Sequence, residues 1–183
     1  KEDSSQEEYL EHLNNNSLLS ILDTVEVKKG HAYFLETGTV HAIGAGLLIA
    51  EIQQTSDITY RLYDFDRKDA QGNKRELHID LALEAINYKK FDTRKPYLEE
   101  ENQSNSIVNC PYFTTNFIPL TEKMKVSKTG NSFTVYMCID GAFELEYDKT
   151  IYSYKQGDTV LIPAAMDYYI ITGKASILEI YIS

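Results

Sequence analysis

The chain has 183 residues, of which 43% are hydrophobic and 25% are charged, and its formal net charge is −10. This length and balance are typical of one soluble domain or of two small ones. The acidic charge argues against nucleic acid or an anionic membrane as a partner, because both bind basic surfaces. An anionic small substrate would need a local positive pocket, for which Arg61 and Arg67 are the candidates.

The two cysteines and the start of the chain bear on its cellular context. Cys110 and Cys138 show no CxxC spacing and no nearby histidine, which predicts reduced thiols in a cytoplasmic protein. No apolar run approaches membrane-spanning length, and no signal-peptide pattern opens the chain. The chain begins without methionine, in KEDSSQEEYLEHL. We therefore expect a fragment of a longer protein.

The first half of the chain combines helical patterns with alternating ones. Two short helices are predicted over residues 8–22 and a third over 79–88. Residues 47–54 and 58–63 alternate apolar with polar side chains, which predicts two strands that could pair as a hairpin. Residues 93–109 are rich in charged, amide and serine side chains, and we expect a linker there.

The pattern from Cys110 onward is β throughout. Six apolar or aromatic runs predict strands, at residues 113–120, 133–139, 143–147, 159–162, 168–171 and 177–182. Turn signals separate them at residues 129–131, 140–141, 156–158 and 172–174. Many short strands with regular turns predict a barrel or a sandwich.

Three side chains in the predicted hairpin region could form half of an active site. His41 follows a turn marked by Gly38, Glu51 lies on the polar face of one predicted strand, and Arg61 lies on the next. If both strands face a common interior, the three would supply a metal ligand, a candidate base and an anion clamp.

Each of these residues also has a structural interpretation. His41 could be a hydrogen-bonded histidine at a strand end, and Glu51 and Arg61 could form a cross-strand ion pair. Arg67 could be an exposed loop charge. Spacing alone leaves these alternatives open.

A weak internal repeat joins the two halves. Gly30 is followed by five residues and then by ETGTVH, which ends in His41, whereas Gly157 is followed by five residues and then by PAAMDY, which ends in Tyr168. The spacing resembles the second cupin motif, G-x5-P-x-G-x2-H, in which the histidine binds a metal. We expect a metal-site barrel in the first half and a degenerate barrel, with Tyr168 packed inside it, in the second.

A longer and more specific run is TGTVHAIGAGLLIAEIQQTSDITYRLYDFDR, followed by GNKRELHIDLAL. It resembles the type I mannose-6-phosphate isomerases, in particular the short bacterial form. The resemblance implies a mainly β fold of cupin-like double-stranded β-helix (jelly-roll) barrels with a few short helices. Residues 1–92 would be part of the metal-site barrel, 93–109 the linker and 110–183 the degenerate second barrel.

The same resemblance implies a zinc-dependent enzyme that interconverts mannose 6-phosphate and fructose 6-phosphate through an enediolate. By position, it makes His41 a zinc ligand, places Glu51 beside the metal and Arg61 in the active site, and makes Arg67 a phosphate contact. Which residue moves the proton stays open, with Glu51 as one candidate. The oligomeric state also stays open.

One departure from the family concerns the metal. The other zinc ligands of the family come from a Q-x-H motif and a glutamate, and this sequence contains no Q-x-H. One histidine and one carboxylate fall short of the three or four protein ligands of a tight zinc site. The chain alone would then bind zinc weakly and be inactive.

Three functions of different classes remain. The first is the isomerase or its carboxy-terminal portion, the second a non-catalytic cupin module that binds a sugar phosphate, and the third a structural β domain that supports a separate catalytic chain.

Overall fold

The computed structural model describes residues 1–56, 58–65, 67–128 and 132–182. The chain divides into two compact units, Lys1–Ile49 with Thr55–Arg94 and Ala50–Gln54 with Lys95–Ser183. The turn predicted at residues 129–131 lies outside the described residues. Within the described ranges, no helix is long and apolar enough to cross a membrane.

The first unit contains the helices. Helix α1 spans Gln6–Asn14, a 3-10 helix spans Leu18–Ser20, and helix α2 spans Ile79–Ala85. Ser5 caps α1, because its hydroxyl accepts a hydrogen bond from the Glu8 backbone N–H at 3.2 Å. Helix α2 ends earlier than the sequence predicts, since Ile86 has extended backbone.

The strands predicted at residues 47–54 and 58–63 are not formed, and the hairpin prediction is wrong. In the described part of the first unit, β pairing is limited to the single bridges Tyr33–Arg94 and Lys68–Lys74. Alternation gives a segment two faces, but a strand also needs a neighbour for its backbone hydrogen bonds. Leu48 and Ile58, on the predicted apolar faces, are 92% and 69% exposed.

The second unit is an antiparallel sheet whose described strands number seven. They are β1 (Asn105–Asn109), β2 (Thr114–Leu120), β3 (Lys123–Ser127), β4 (Thr134–Tyr147), β5 (Thr150–Lys155), β6 (Thr159–Ile162) and β7 (Tyr168–Tyr181). The mainly β prediction is confirmed for this unit. The bounds of β6 agree with the predicted strand, whereas β3 and β5 were not predicted.

The long strands β4 and β7 organise the sheet. They pair with each other, and each changes its outer neighbour halfway along: β4 pairs with β6 and then β5, and β7 pairs with β3 and then β2. A sheet whose two central strands change neighbours in this way can curve around an interior.

The turns predicted at residues 140–141 and 172–174 are wrong, because both sites lie inside continuous strands. Gly141 (φ 73°) and Gly173 (φ 151°) have backbone angles that favour glycine. A Cβ at Gly141 would lie 2.1 Å from the Lys174 carbonyl oxygen, and one at Gly173 would lie 2.5 Å from that of Ala142. The glycines therefore permit close contact where β4 and β7 bend, instead of reversing the chain.

One hydrophobic core fills the second unit. Its most deeply buried members include Ile118, Tyr136, Ile171 and Ile177. Tyr168 is 50% exposed whereas Tyr169 is 1% exposed, so the prediction that Tyr168 packs inside the barrel is wrong by one residue. Successive strand side chains point to opposite faces, which makes a one-residue error a change of face.

Strand β1 lies within the residues predicted to be a linker. Asn105 opens this strand and is 6% exposed. Its side-chain amide lies within hydrogen-bonding distance of the carbonyls of Glu100, Gln103 and Phe117, at 2.9, 3.0 and 3.2 Å. The polar composition that suggests a linker here supplies a buried hydrogen-bonding residue instead.

Candidate functional site

His41 is positioned by a glycine turn and by a hydrogen bond to its own loop. The Thr39 N–H donates to the Glu36 carbonyl at 3.0 Å, and Gly38 (φ 88°) sits against helix α2, where a Cβ would lie 2.4 Å from the Ala85 carbonyl oxygen. His41 is exposed, and its Nδ1 lies 2.9 Å from the Thr39 carbonyl. A carbonyl only accepts, so Nδ1 carries a proton, and in the neutral imidazole Nε2 then presents its lone pair. This is the state in which a histidine binds a metal.

Arg61 is fixed by a histidine that the sequence analysis does not select. The His78 N–H donates to the Arg61 carbonyl at 2.9 Å, and the Arg61 N–H donates to His78 Nδ1 at 3.1 Å. The guanidinium donates to the Glu76 carbonyl at 3.1 Å. Backbone and side chain of Arg61 are thus both attached to the segment that leads into α2.

Arg67 is bound to a buried carboxylate. Its guanidinium contacts Asp64 Oδ1, and its backbone N–H donates to the Asp64 carbonyl at 3.0 Å. Arg75 Nη1 approaches the same Oδ1 at 3.7 Å. The Asp64 side chain is 8% exposed, whereas those of Arg67 and Arg75 are 62% and 51% exposed. The sequence predicts Arg67 as a site residue but gives no sign of this pairing.

Glu51 is exposed and lies in the short segment Ala50–Gln54, which groups with the second unit. His41, Arg61 and Arg67 belong to the first unit. The predicted convergence of His41, Glu51 and Arg61 depends on the hairpin, which is not formed.

Two shallow grooves lie on the second unit, and neither is lined by a predicted site residue. One includes Gly141 and Lys174 in its lining, and the other includes Phe143 and Gly173. Both flank the place where β4 and β7 bend.

The described residues supply one well-formed metal ligand, His41, but not a complete set of ligands for a metal ion. Across these residues, no group of three or more histidine, cysteine or acidic side chains could hold a metal ion. The lone pair of His41 Nε2 fits one position of a zinc site, but a protein zinc site takes three or four ligands. The described donors therefore do not make a complete zinc site.

The interior of the second unit carries a hydrogen-bonded polar cluster instead. Glu179 is 8% exposed, and its Oε2 accepts hydrogen bonds from Ser104 Oγ at 2.7 Å and from Asn116 Nδ2 at 2.8 Å. Its Oε1 accepts from the Tyr136 hydroxyl at 3.3 Å, and that hydroxyl lies 2.8 Å from the hydroxyl of Tyr169. The cluster places a satisfied carboxylate inside the fold.

Burial shifts the acid–base behaviour of this cluster. Desolvation raises the pKa of Tyr169 to about 12, although the hydrogen bond with Tyr136 opposes the shift. Desolvation, with the neighbouring Tyr169 and Glu179, raises the pKa of Tyr136 far above its ordinary value. Burial also lowers the pKa of Lys128, against the attraction of Glu179. The tyrosine hydroxyls are therefore neutral donors at physiological pH.

Known proteins resemble this chain in sequence and in structure. The family model for the cupin domain of mannose-6-phosphate isomerase matches residues 103–182. Mannose-6-phosphate isomerase ManA of Bacillus subtilis strain 168 is 35% identical over 158 residues, which are 85% of this chain and 50% of the relative. The curated relatives are longer, and this chain spans between 50% and 57% of each.

Solved structures agree with the sequence matches. The mannose 6-phosphate isomerase from Bacillus subtilis superposes with a TM-score of 0.90 at 28% identity, over 98% of this chain and 58% of that one. A zinc-bound mannose 6-phosphate isomerase shares the fold with a TM-score of 0.51 at 12% identity, over 61% of this chain and 29% of that one. These matches confirm the resemblance to the type I mannose-6-phosphate isomerases and the cupin fold of this chain.

Proposed function

We propose that this chain works as part of a mannose-6-phosphate isomerase that interconverts mannose 6-phosphate and fructose 6-phosphate. The observation that carries the proposal is His41, whose Nδ1 is held by the Thr39 carbonyl so that Nε2 is available to a metal. The relatives named as mannose-6-phosphate isomerases support it. The partner is then a sugar phosphate in the cytoplasm, with no role for nucleic acid or membrane.

In this proposal the cofactor is zinc, and His41 Nε2 is one of its ligands. Bound zinc would supply a positive charge that polarises oxygen atoms of the sugar. The remaining ligands would come from other residues, because the residues that the structure describes contain no group of three suitable side chains. The chain alone would then retain little zinc and be inactive.

The family resemblance assigns direct roles on the substrate to the other candidate residues. The reaction moves a proton between adjacent carbons through an enediolate, so it needs a base and a group that stabilises negative oxygen. Glu51 is the candidate base, and the Arg61 guanidinium would stabilise the oxyanion. Arg67 would bind the phosphate, since guanidinium groups match phosphate oxygens in geometry and charge.

A non-catalytic module that binds a sugar phosphate is the second candidate. The exposed guanidinium groups of Arg67 and Arg75 favour it, because they lie beside the same Asp64 oxygen and could bind a phosphate without a metal. Such a module would bind the sugar phosphate without converting it.

A coupled assay separates the two functions. Conversion of mannose 6-phosphate to fructose 6-phosphate is measured with added zinc for this chain and for the longer isomerase that the proposal assumes. The proposal predicts activity in the longer protein and none in the chain alone. Inactivity of both, with retained binding of the sugar phosphate, would favour the module, and activity of the chain alone would contradict the proposed division of zinc ligands.

A further inference from the structure

The loop from Asp64 to Arg75 contains a two-arginine cluster built around one buried carboxylate. Arg67 Nη2 contacts Asp64 Oδ1, and Arg75 Nη1 lies 3.7 Å from the same oxygen. Because both guanidinium groups approach one atom, they are held next to each other although seven residues separate them in sequence. The cluster has two positive charges and one negative charge.

The burial of Asp64 argues against an ordinary surface ion pair. Its side chain is 8% exposed, so the carboxylate has lost most of its contact with water, and the two cations offset this loss. The second oxygen, Oδ2, is buried and accepts no hydrogen bond from any described residue. A carboxylate selected for stability alone would have both oxygens satisfied. Stability alone therefore does not account for this carboxylate, which points to a role in positioning the two arginines.

The local backbone supports the same geometry. The Arg67 N–H donates to the Asp64 carbonyl at 3.0 Å, and Arg67 Nε lies 3.4 Å from that carbonyl. Phe65, between them, has a φ of 50°, a left-handed conformation that is unfavourable for an aromatic residue. The turn thus holds Arg67 against Asp64 at the expense of some backbone strain.

The exposed sides of both arginines can still bind an anion. A guanidinium has five N–H donors, and Asp64 engages only part of those on Arg67 and Arg75. With side chains 62% and 51% exposed, the remaining donors face solvent. The bridge between Lys68 and Lys74 brings two further basic residues into the same loop. In the same turn, Asp69 Oδ1 accepts hydrogen bonds from the backbone N–H groups of Gln71 and Asn73.

From this geometry we propose that Arg67 and Arg75 form one clamp for a phosphate monoester, with Asp64 as the residue that positions both. Arg75 is then a second substrate-binding residue. This inference rests on the proposed function and names the part of the chain that recognises the phosphate. A phosphate monoester has three terminal oxygens and close to two negative charges, which two adjacent guanidinium groups can bind together.

The test measures binding of fructose 6-phosphate to this chain by calorimetry or by NMR titration, with fructose as the probe without phosphate. We expect fructose 6-phosphate to bind and fructose not to bind. Arg75→Gln and Arg67→Gln should each weaken binding roughly tenfold, the effect of losing one charge-assisted hydrogen-bonding group. Arg94→Gln removes the same charge from an arginine that contacts His31 Nε2 at 3.1 Å, and it should leave the affinity within about twofold.

Asp64→Asn provides the sharper test, because two explanations of the role of Asp64 predict opposite changes in the affinity for phosphate. Removing a negative charge beside an anion site should strengthen phosphate binding by simple electrostatics. If Asp64 positions the clamp, the substitution releases both arginines and weakens binding instead. Arg75→Lys, which keeps the charge but loses the planar fork, should weaken binding less than Arg75→Gln, and circular dichroism checks that each variant folds.

Tighter binding by Asp64→Asn, unchanged binding by Arg75→Gln, or equal weakening by Arg94→Gln would each overturn the clamp. Equal affinity for fructose and fructose 6-phosphate would overturn it as well. These outcomes are independent of the isomerase assay. A chain that binds the phosphate through Arg67 and Arg75 while the longer protein lacks isomerase activity would refute the proposed function and leave the clamp in place.

Discussion

Arg61 and His78 exchange two hydrogen bonds, from the His78 N–H to the Arg61 carbonyl and from the Arg61 N–H to His78 Nδ1. A backbone N–H only donates, so His78 Nδ1 must be the unprotonated ring nitrogen. The imidazole therefore acts as an acceptor that holds the backbone of a candidate catalytic residue at the start of helix α2.

We predict that His78→Ala destabilises the protein by about 1–3 kcal/mol, because it leaves the half-buried Arg61 N–H without an acceptor. His78→Asn should cost less, since its side-chain oxygen lies close to the position of Nδ1. Chemical denaturation measures both free energies of unfolding. Equal destabilisation by the two substitutions would show that the ring's packing matters and the acceptor does not.

Glu179 is the acceptor on which the interior cluster of the second unit depends. Glu179→Ala should destabilise the protein by about 3 kcal/mol or more, because it leaves the buried donors of Asn116 and Tyr136 without their acceptor. Glu179→Gln, which keeps the shape and one acceptor oxygen, should cost less. Thermal and urea unfolding of the two variants gives the comparison, and an Ala variant as stable as the wild type would refute this role.

Position 141 requires glycine for two reasons: there is no room for a side chain, and the backbone has a positive φ. Gly141→Ala should cost about 3 kcal/mol or more, because the new Cβ would meet the Lys174 carbonyl at 2.1 Å in addition to straining a φ of 73°. Gly157→Ala is the matched control, since Gly157 has a φ of 92° but no atom within 4 Å of an added Cβ. It should cost only about 1–2 kcal/mol of strain. Similar losses in both variants would mean that strain alone matters.

Tyr169 should make the protein sensitive to high pH. Its pKa is about 12 when folded, above the ordinary value of 10.0, so the folded state keeps a proton that the unfolded state releases. Its contribution to stability is therefore complete below pH 10 and is lost as pH rises from 10 to 12, by about 1.4 kcal/mol per pH unit. Tyr136, with its pKa raised in the same direction, adds to the slope.

Tyr169→Phe tests this linkage. Urea unfolding between pH 9 and 11 should show a shallower decline of stability in the variant than in the wild type, because one of the two buried hydroxyls is gone. The slope is the informative quantity, since the substitution also removes a hydrogen bond and lowers stability at every pH. An unchanged slope would contradict the prediction.

Local signals in the sequence are sufficient where local interactions decide the structure. The turn at Gly38 and the bounds of β6 follow from glycine spacing and apolar runs, and both are present. Strands β3 and β5 are not predicted from the sequence, because their side chains are mostly polar or exposed, as in Lys123 and Lys125 of β3. The sequence predicts turns at Gly141 and Gly173, because it does not show that another strand passes within contact distance.

The sequence predicts individual residues of the candidate site. It does not predict which other residues they contact. His41 and Arg67 stand out by spacing and by resemblance, but the contact between Asp64 and Arg75 depends on the path of the twelve-residue loop that joins them. Likewise, the alternation around Leu48 predicts a strand, whereas strand formation depends on a neighbouring segment. Partners distant in sequence are set by tertiary structure, which composition and periodicity do not encode.

The metal content of a His41→Ala variant, prepared in the longer isomerase that the proposal assumes, tests the central claim most directly. Zinc per protein molecule is measured by mass spectrometry after dialysis, with His31→Ala as the control because His31 contacts Arg94 and is outside the proposed site. We predict that His41→Ala loses its zinc and that His31→Ala keeps the wild-type content. Full zinc content in the His41→Ala variant would show that His41 is not a ligand and would contradict the proposed site.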